Sequence, residues 1–342
     1  MMAGNTIRKS RSSSGGKLVN LVFPFLVLML LQGCAALPQQ RNDQALTAYT
    51  GDGKVSGIDP PPPVFIIEDP GEPANRIGTP SARINSAGEE EVRVSPDVPT
   101  IYVEKRGFQT ARDSYTNLIY RIHFPEIPFS LVPFYLSWGN NIGVLVVVTV
   151  NSKGEPVLYT TVQTCGCYLA FIPTSYTPKE ALPGNWLPRR RQAVYGETLP
   201  GLLDFGQIPP AQARILIFLR SETHRVKEIR VATPDALKEF TATRAEVRPL
   251  SALEAIPRPK GGTTSFYETT GSRTGYVKGS SKPWERLLIS WWALDWRTGQ
   301  DKKLGADRAD GTVFYTSIKP WARDASDLRD FPAFLQYWGW NL

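Results

Sequence analysis

Histidine and cysteine are scarce in this chain. Its 342 residues include two His, His123 and His224, and three Cys, Cys34, Cys165 and Cys167. Two His cannot build a multi-histidine zinc site, and a catalytic imidazole has only two candidates. The sequence has no GxSxG elbow, no HExxH and no phosphate-cradling GxxxxGK[ST], so none of the reactions those motifs mark is signalled. A Ser-His-Asp triad stays open because its members can be distant in sequence, but each His reads better as structural or exposed. A membrane-length apolar run is also lacking. Leu18 to Leu31, "LVNLVFPFLVLMLL", is only fourteen residues and is interrupted by Asn20 and Pro24, whereas a spanning helix needs about twenty.

Acidic residues are absent from positions 1–20, which carry Arg8, Lys9, Arg11 and Lys17. A basic stretch, a short apolar stretch and small residues behind it make a secretory signal peptide. The run ends in Leu31-Gln32-Gly33-Cys34. This segment resembles the signal peptide and lipobox of bacterial lipoproteins, with Gln32 departing from the usual Ala, Ser, Thr or Val. The resemblance covers the first 36 residues only. It implies that a dedicated peptidase cuts before Cys34, that the thiol of Cys34 carries diacylglycerol and that its new amine is acylated. Two or three acyl chains, as on palmitate-bearing lipoproteins, hold a protein stably where one does not. Ala35 is not the Asp that favours inner-membrane retention. The expected place is therefore the outer membrane of a bacterial cell envelope, facing the periplasm.

The net charge of +7 includes the four cations of that segment, which leaves +3 for the 309 residues from Cys34 onward. That is not a nucleic-acid footprint, so no nucleic-acid partner is expected. Residues 34–99 contain "DPPPP", "EDPGEP" and "GTPSARINSAGEEE" and read as a disordered Pro/Gly-rich tether. Within them only "VFII" (64–67) and Val92–Val94 look able to pair, "VFII" as an edge strand docked on the domain. The globular domain is placed at 100–342.

Inside it, "TIYVEKRGF" from Thr100 reads as a strand. Residues 114–124 carry apolar side chains at 115, 118, 119 and 122, which is helical spacing. "GVLVVVTV" (143–150) reads as a strand buried on both faces. After the turn "NSKGE", "PVLYTTVQTCGCYLAFI" returns as one long strand. A second hairpin joins "ARILIFLR" (213–220) to "RVKEIRVAT", whose charges suit an edge. Between the hairpins, residues 173–210 form a long Pro- and Gly-rich excursion, a kind of loop that often carries function. "SKPWERLLISWWALDWRTG" predicts a helix over 282–298, with Ser281 as N-cap, Gly299 as stop and an apolar stripe of Trp284, Leu287, Leu288, Trp291 and Trp292. "TVFYTSI" reads as a short strand, and "DFPAFLQYWGW" as a helix at 331–338, capped by Asp330 and stopped by Gly339. No internal repeat is present. The expected fold is α+β, an antiparallel sheet of long hairpins with C-terminal helices packed on it.

Candidate chemistry is thin. Residues i and i+2 of a strand lie roughly 6.5–7 Å apart, at the long edge of disulfide geometry. Gly166 would let Cys165 and Cys167 close that gap. They are a disulfide or a pair of buried thiols, and otherwise a redox dithiol or a soft-metal site. Asp295 shares the Trp stripe and sits in the last turn of its helix, where a carboxylate is disfavoured. It is a weak catalytic candidate, with an ion pair to Arg297, Lys302 or Lys303 as the plainer reading. Asp307 and Asp310 approach a calcium loop, but Gly305 and Ala309 break the pattern. Arg189-Arg190-Arg191 reads as a solvated face, or in the sharper version as a contact for anionic lipid or acidic glycan. Seven of the nine Trp lie in 284–340. They form either a core or a binding platform, with Trp291, Trp292 and Trp296 as the binding candidates. The overall expectation is a non-catalytic, lipid-anchored module that binds an envelope glycan, peptide or protein without a cofactor. A thiol-redox, soft-metal or hydrolase protein is the alternative.

Overall fold

The computed structural model describes residues 45–51, 60–306 and 312–342. Cys34, the segment 1–33, and Asp307 and Asp310 lie outside these residues. Strand makes up 40% of the chain and helix 14%, so the expected α+β fold leans strongly to β.

Fourteen strands carry the architecture: β1 (Leu46–Gly51), β2 (Val64–Glu68), β3 (Thr79–Ile84), β4 (Glu90–Ser95), β5 (Thr100–Gln109), β6 (Ser114–Ile127), β7 (Gly139–Val150), β8 (Pro156–Gln163), β9 (Ala170–Pro173), β10 (Gln192–Val194), β11 (Glu197–Leu199), β12 (Arg214–Leu219), β13 (Val226–Ala232) and β14 (Thr241–Pro249). Ten of them form one curled sheet in the order β13-β12-β2-β1-β14-β5-β6-β7-β8-β9. The run β5 to β9 is an antiparallel meander, and β12–β13 is the expected hairpin with β13 at the sheet edge. Three contacts are parallel: β12–β2, β1–β14 and β14–β5. They arise because β1, β2 and β14 are slotted between the two hairpin units.

The tether expected over 34–99 is corrected from residue 45 onward. "VFII" is no edge strand: β2 is fully buried and lies between β12 and β1. Its prolines stand just outside the strand, where they delimit it without removing a ladder donor. β3 and β4 pair as a separate hairpin. Its Val92 and Val94 pack with Tyr102, Leu253 and Phe266.

The helix expected over 114–124 is strand β6. On β6 and β7 the even residues Leu118, Tyr120, Ile122, Phe124, Val144, Val146 and Val148 enter one core. The odd residues Tyr115, Ile119, Leu145 and Val147 enter a second. A strand buried on both faces supplies apolar residues at every spacing, including i, i+3 and i+4. The single strand expected across "PVLYTTVQTCGCYLAFI" is broken into β8 and β9 by a turn at Thr164–Tyr168, with Gly166 at φ +94°. "TVFYTSI" forms no strand and makes one bridge, Tyr315 to Asp327.

Helix α1 (Pro283–Ala293) stops short of the expected 298, at Leu294 in the left-handed region. Its N-cap is Lys282, not Ser281, and it makes no side-chain cap bond. Helix α2 (Phe331–Tyr337) behaves as expected. Asp330 accepts a bond from the Ala333 amide, and Phe331, Phe334 and Leu335 bury themselves in the second core.

Candidate functional site

Two stretches that are far apart in sequence meet at the C-terminal end of the second core. The 173–210 excursion folds back over β9, and the residues after α2 close against it. Gly339, at φ +86°, turns the chain so that Trp340 is buried. Its ring lies 5.4 Å from that of Phe171 and 5.0 Å from that of Trp186. The backbone locks the corner, with the Asn341 amide bonded to the Ala181 carbonyl at 2.9 Å. Trp186 donates its indole N–H to the Gly201 carbonyl (2.9 Å), and Trp338 donates its own to Thr316 Oγ1 (3.0 Å). Both rings are therefore fixed.

The result is a groove of about 430 Å³ lined by Phe171, Pro183, Asn185, Trp186, Leu187, Arg190, Arg191, Gln192, Ala193, Trp338 and Trp340. Gly201 makes the wall possible, since a Cβ there would stand 2.2 Å from the Arg190 carbonyl oxygen. Gln192 ties the wall to the floor through bonds to the carbonyls of Phe171 (2.7 Å) and Pro200 (3.0 Å). Arg191 is engaged with the Thr198 carbonyl. The exposed Arg190 guanidinium has no hydrogen-bond or ion-pair partner among the described residues. An aromatic floor with an uncommitted guanidinium at its lip suits a flat apolar face joined to an anion.

The Trp residues singled out from sequence lie elsewhere. Trp291, Trp292 and Trp296 are 66%, 63% and 70% exposed on and just after α1. The expected packing of the Trp stripe on the sheet is thus corrected, because α1 instead buries Glu285, Ser290 and Ala293. Glu285 explains the inversion. It accepts a 2.5 Å bond from Ser137 Oγ and fits against Gly299, where any side chain would collide with its carboxylate. A buried carboxylate needs such partners, and they hold the polar edge of the helix inward.

Cys165 and Cys167 are joined as a disulfide with Cα atoms 5.6 Å apart. Among the described residues, no group of three or more His, Cys, Asp or Glu is placed to hold a metal. Asp295 accepts from the Tyr315 hydroxyl (2.6 Å) and from the Arg297 amide (2.9 Å). Neither His is its partner. His123 is buried and accepts from Arg121 Nε at 2.9 Å; burial, then the Arg121 charge, holds its pKa well below the usual range. His224 is buried, stacked on Phe124 at 3.9 Å and bonded to the Glu126 carbonyl at 3.0 Å; burial pushes its pKa down to about 4.

One buried polar cluster has no counterpart in the sequence reading. Asp301 is fully buried, accepts from Thr164 Oγ1 and from Ser280 Oγ (3.0 Å), and forms an ion pair with the Lys282 ammonium at 3.5 Å. Beside it Lys302 donates to the Cys165 carbonyl at 2.6 Å and lies 4.3 Å from the Tyr315 ring centre. Burial pulls the Lys302 pKa down to about 8 against the pull of Asp301. Arg121 donates to the Lys302 carbonyl at 2.9 Å. "QDKKLG" looks like a solvated turn, so only its partners on the odd face of β6 could have revealed it. The cluster pins the segment before the C-terminal core to the sheet.

Comparison with protein-family models, curated proteins and solved structures finds no significant match for this chain.

Proposed function

We propose that this chain is a lipid-anchored lipoprotein of the bacterial cell envelope, held by acylated Cys34 at the outer membrane and facing the periplasm, and that it binds an acidic glycan. The lipobox-like Leu31-Gln32-Gly33-Cys34 supports the address. The groove supports the activity, and one observation carries it: Arg190, whose guanidinium has no partner among the described residues, lines the same groove as Trp186 and Trp338. A sugar ring offers an apolar C–H face to an indole, and a uronic or other acidic sugar adds a carboxylate for Arg190. Asn185 adds a polar contact at the same lip.

Intrinsic tryptophan emission, titrated with a galacturonic acid tetramer and with its neutral methyl ester, tests this reading. Arg190→Ala should weaken binding of the acid by roughly 10- to 100-fold, since a hydrogen bond to a charged group contributes about 1.5–3 kcal/mol. The same change should leave the methyl ester unaffected, and Trp338→Ala should weaken both ligands. Equal binding of acid and ester by the native protein would remove Arg190 from the account. Absence of binding by either would remove the glycan.

A further inference from the structure

The inverted face of α1 is the largest departure of this surface from ordinary behaviour. Leu287, Trp291, Trp292, Leu294 and Trp296 stand out from it, and Trp321 beside it is 83% exposed. The Arg323 guanidinium bonds the Ala293 carbonyl and holds the Trp321 turn against the end of the helix. At its other end, Trp284 meets the 128–138 loop through Phe134 and Phe129, with ring centres 5.8 and 6.4 Å apart. That loop exposes Phe129, Leu131 and Val132. Four indoles exposed by about two-thirds or more leave roughly 400–700 Å² of aromatic surface in water, at or above the largest patch of a typical monomer.

Two observations select the occupant. The first is charge. The unburied charged residues on α1 and the Trp321 turn are Arg286, Arg297, Lys319 and Arg323 against Asp295 and Asp324, and Glu126 and Glu222 stand beside the 128–138 loop. Arg286 lies 5.9 Å from the Trp296 ring centre. Indoles interleaved with charges of both signs match the boundary of a bilayer, where Trp prefers the headgroup level. The second is reach. Ten residues lie between Cys34 and Ala45, so the described chain starts at most about 40 Å from the acylated residue. It starts on the same side as the face. Ala45 bonds Asp69, Leu46 pairs with Glu68, Glu68 accepts from the Ser221 amide, and the neighbouring Glu222 accepts from Tyr135 in the 128–138 loop.

From these we propose that the α1 face, with the 128–138 loop, docks on the surface of the bilayer that carries the lipid anchor, and so fixes the orientation of the domain. The proposal rests on the lipid-anchor reading above. A helix of this kind sinks its apolar face about 5–10 Å into the headgroup region. The short tether keeps the face at high effective concentration near the lipid. The acidic-glycan groove is built from other residues and stays open.

Detergent-purified mature protein, inserted into vesicles of zwitterionic and anionic phospholipid, tests the proposal. Brominated acyl chains should quench its tryptophan emission. The combined variant Trp291→Ala, Trp292→Ala and Trp296→Ala should lose most of that quenching at an unchanged melting temperature, because these side chains are exposed. Quenching that is absent, or equal in the variant, overturns the docking. Loss of the exposed Trp accompanied by loss of a concentration-dependent dimer, with no quenching, also overturns it in favour of a second copy. An intact mass of the same sample separates the two readings. Acylated Cys34 without quenching leaves the anchor and refutes the docking. Unmodified Cys34 with quenching refutes the anchor and leaves the docking.

Discussion

Lowering the pH should destabilise this fold through His224 in a way that one substitution isolates. His224 is buried, lies flat on Phe124 and donates one bond to the Glu126 carbonyl, and burial keeps it neutral when folded, with a pKa near 4. In the unfolded chain the imidazole titrates at its ordinary value near 6.5. Because the folded pKa is depressed, the contribution is fully present above about 6.5 and is lost as pH falls towards 4, where only the unfolded state binds the proton. From about pH 7 to about pH 4.5 the loss amounts to about 2–3 kcal/mol. His123 acts in the same direction. The assay is urea unfolding at both pH values for the native protein and for His224→Phe, which keeps the stack and the positive φ but cannot titrate. At pH 7 the variant should be about 1 kcal/mol less stable than the native protein, from the missing hydrogen bond. Its further drop on acidification should be smaller than the native one by about 2–3 kcal/mol. Carboxylate titration is common to both proteins and cancels. Identical drops would refute the idea that His224 is buried as a neutral base.

Other changes should separate scaffold from site. Trp340→Ala should cost about 3–5 kcal/mol in chemical denaturation, as expected for emptying a core position, while the half-exposed Trp338→Ala should cost far less. Gly201→Ala should lower stability by about 1–3 kcal/mol and also abolish glycan binding, because its Cβ would press on the Arg190 carbonyl. Replacing Cys165 and Cys167 together by Ala should cost only about 1–2 kcal/mol in thermal or urea unfolding, since the disulfide closes a loop with a sequence separation of two.

The legible parts of the fold were those where local pattern and tertiary role agree. β7 is a β-branched run with both faces buried, the charges of β13 mark an edge, and α2 carries its own cap and stop. The illegible parts share a physical cause. β6 is a strand covered on both sides, so its apolar residues lose the alternation that identifies a strand, and β2 was legible as a strand but not as a central one. β1 is short and carries little apolar pattern, and only its partners β2 and β14 make it a strand. The orientation of α1 stayed open in the sequence because an apolar stripe normally faces inward, whereas clustered Trp also mark binding surfaces. Here Glu285, Ser137 and Gly299 decide the matter, and Ser137 is distant in sequence. For the groove, the Arg189–Arg191 run and the C-terminal Trp residues each stood out, but nothing in a linear sequence brings positions 186–192 to 338–340. Asp301, and the burial of Lys302 against the Cys165 carbonyl, were invisible for the same reason.

The central claim is that the groove, and not the α1 face, takes the glycan. Indole N–H resonances of the nine Trp, followed by NMR while the galacturonic acid tetramer is added, test it most directly. The account predicts shifts at Trp186 and Trp338 that vanish in Arg190→Ala, with Trp291, Trp292 and Trp296 unmoved. Shifts confined to the α1 indoles, or none at all, would contradict it.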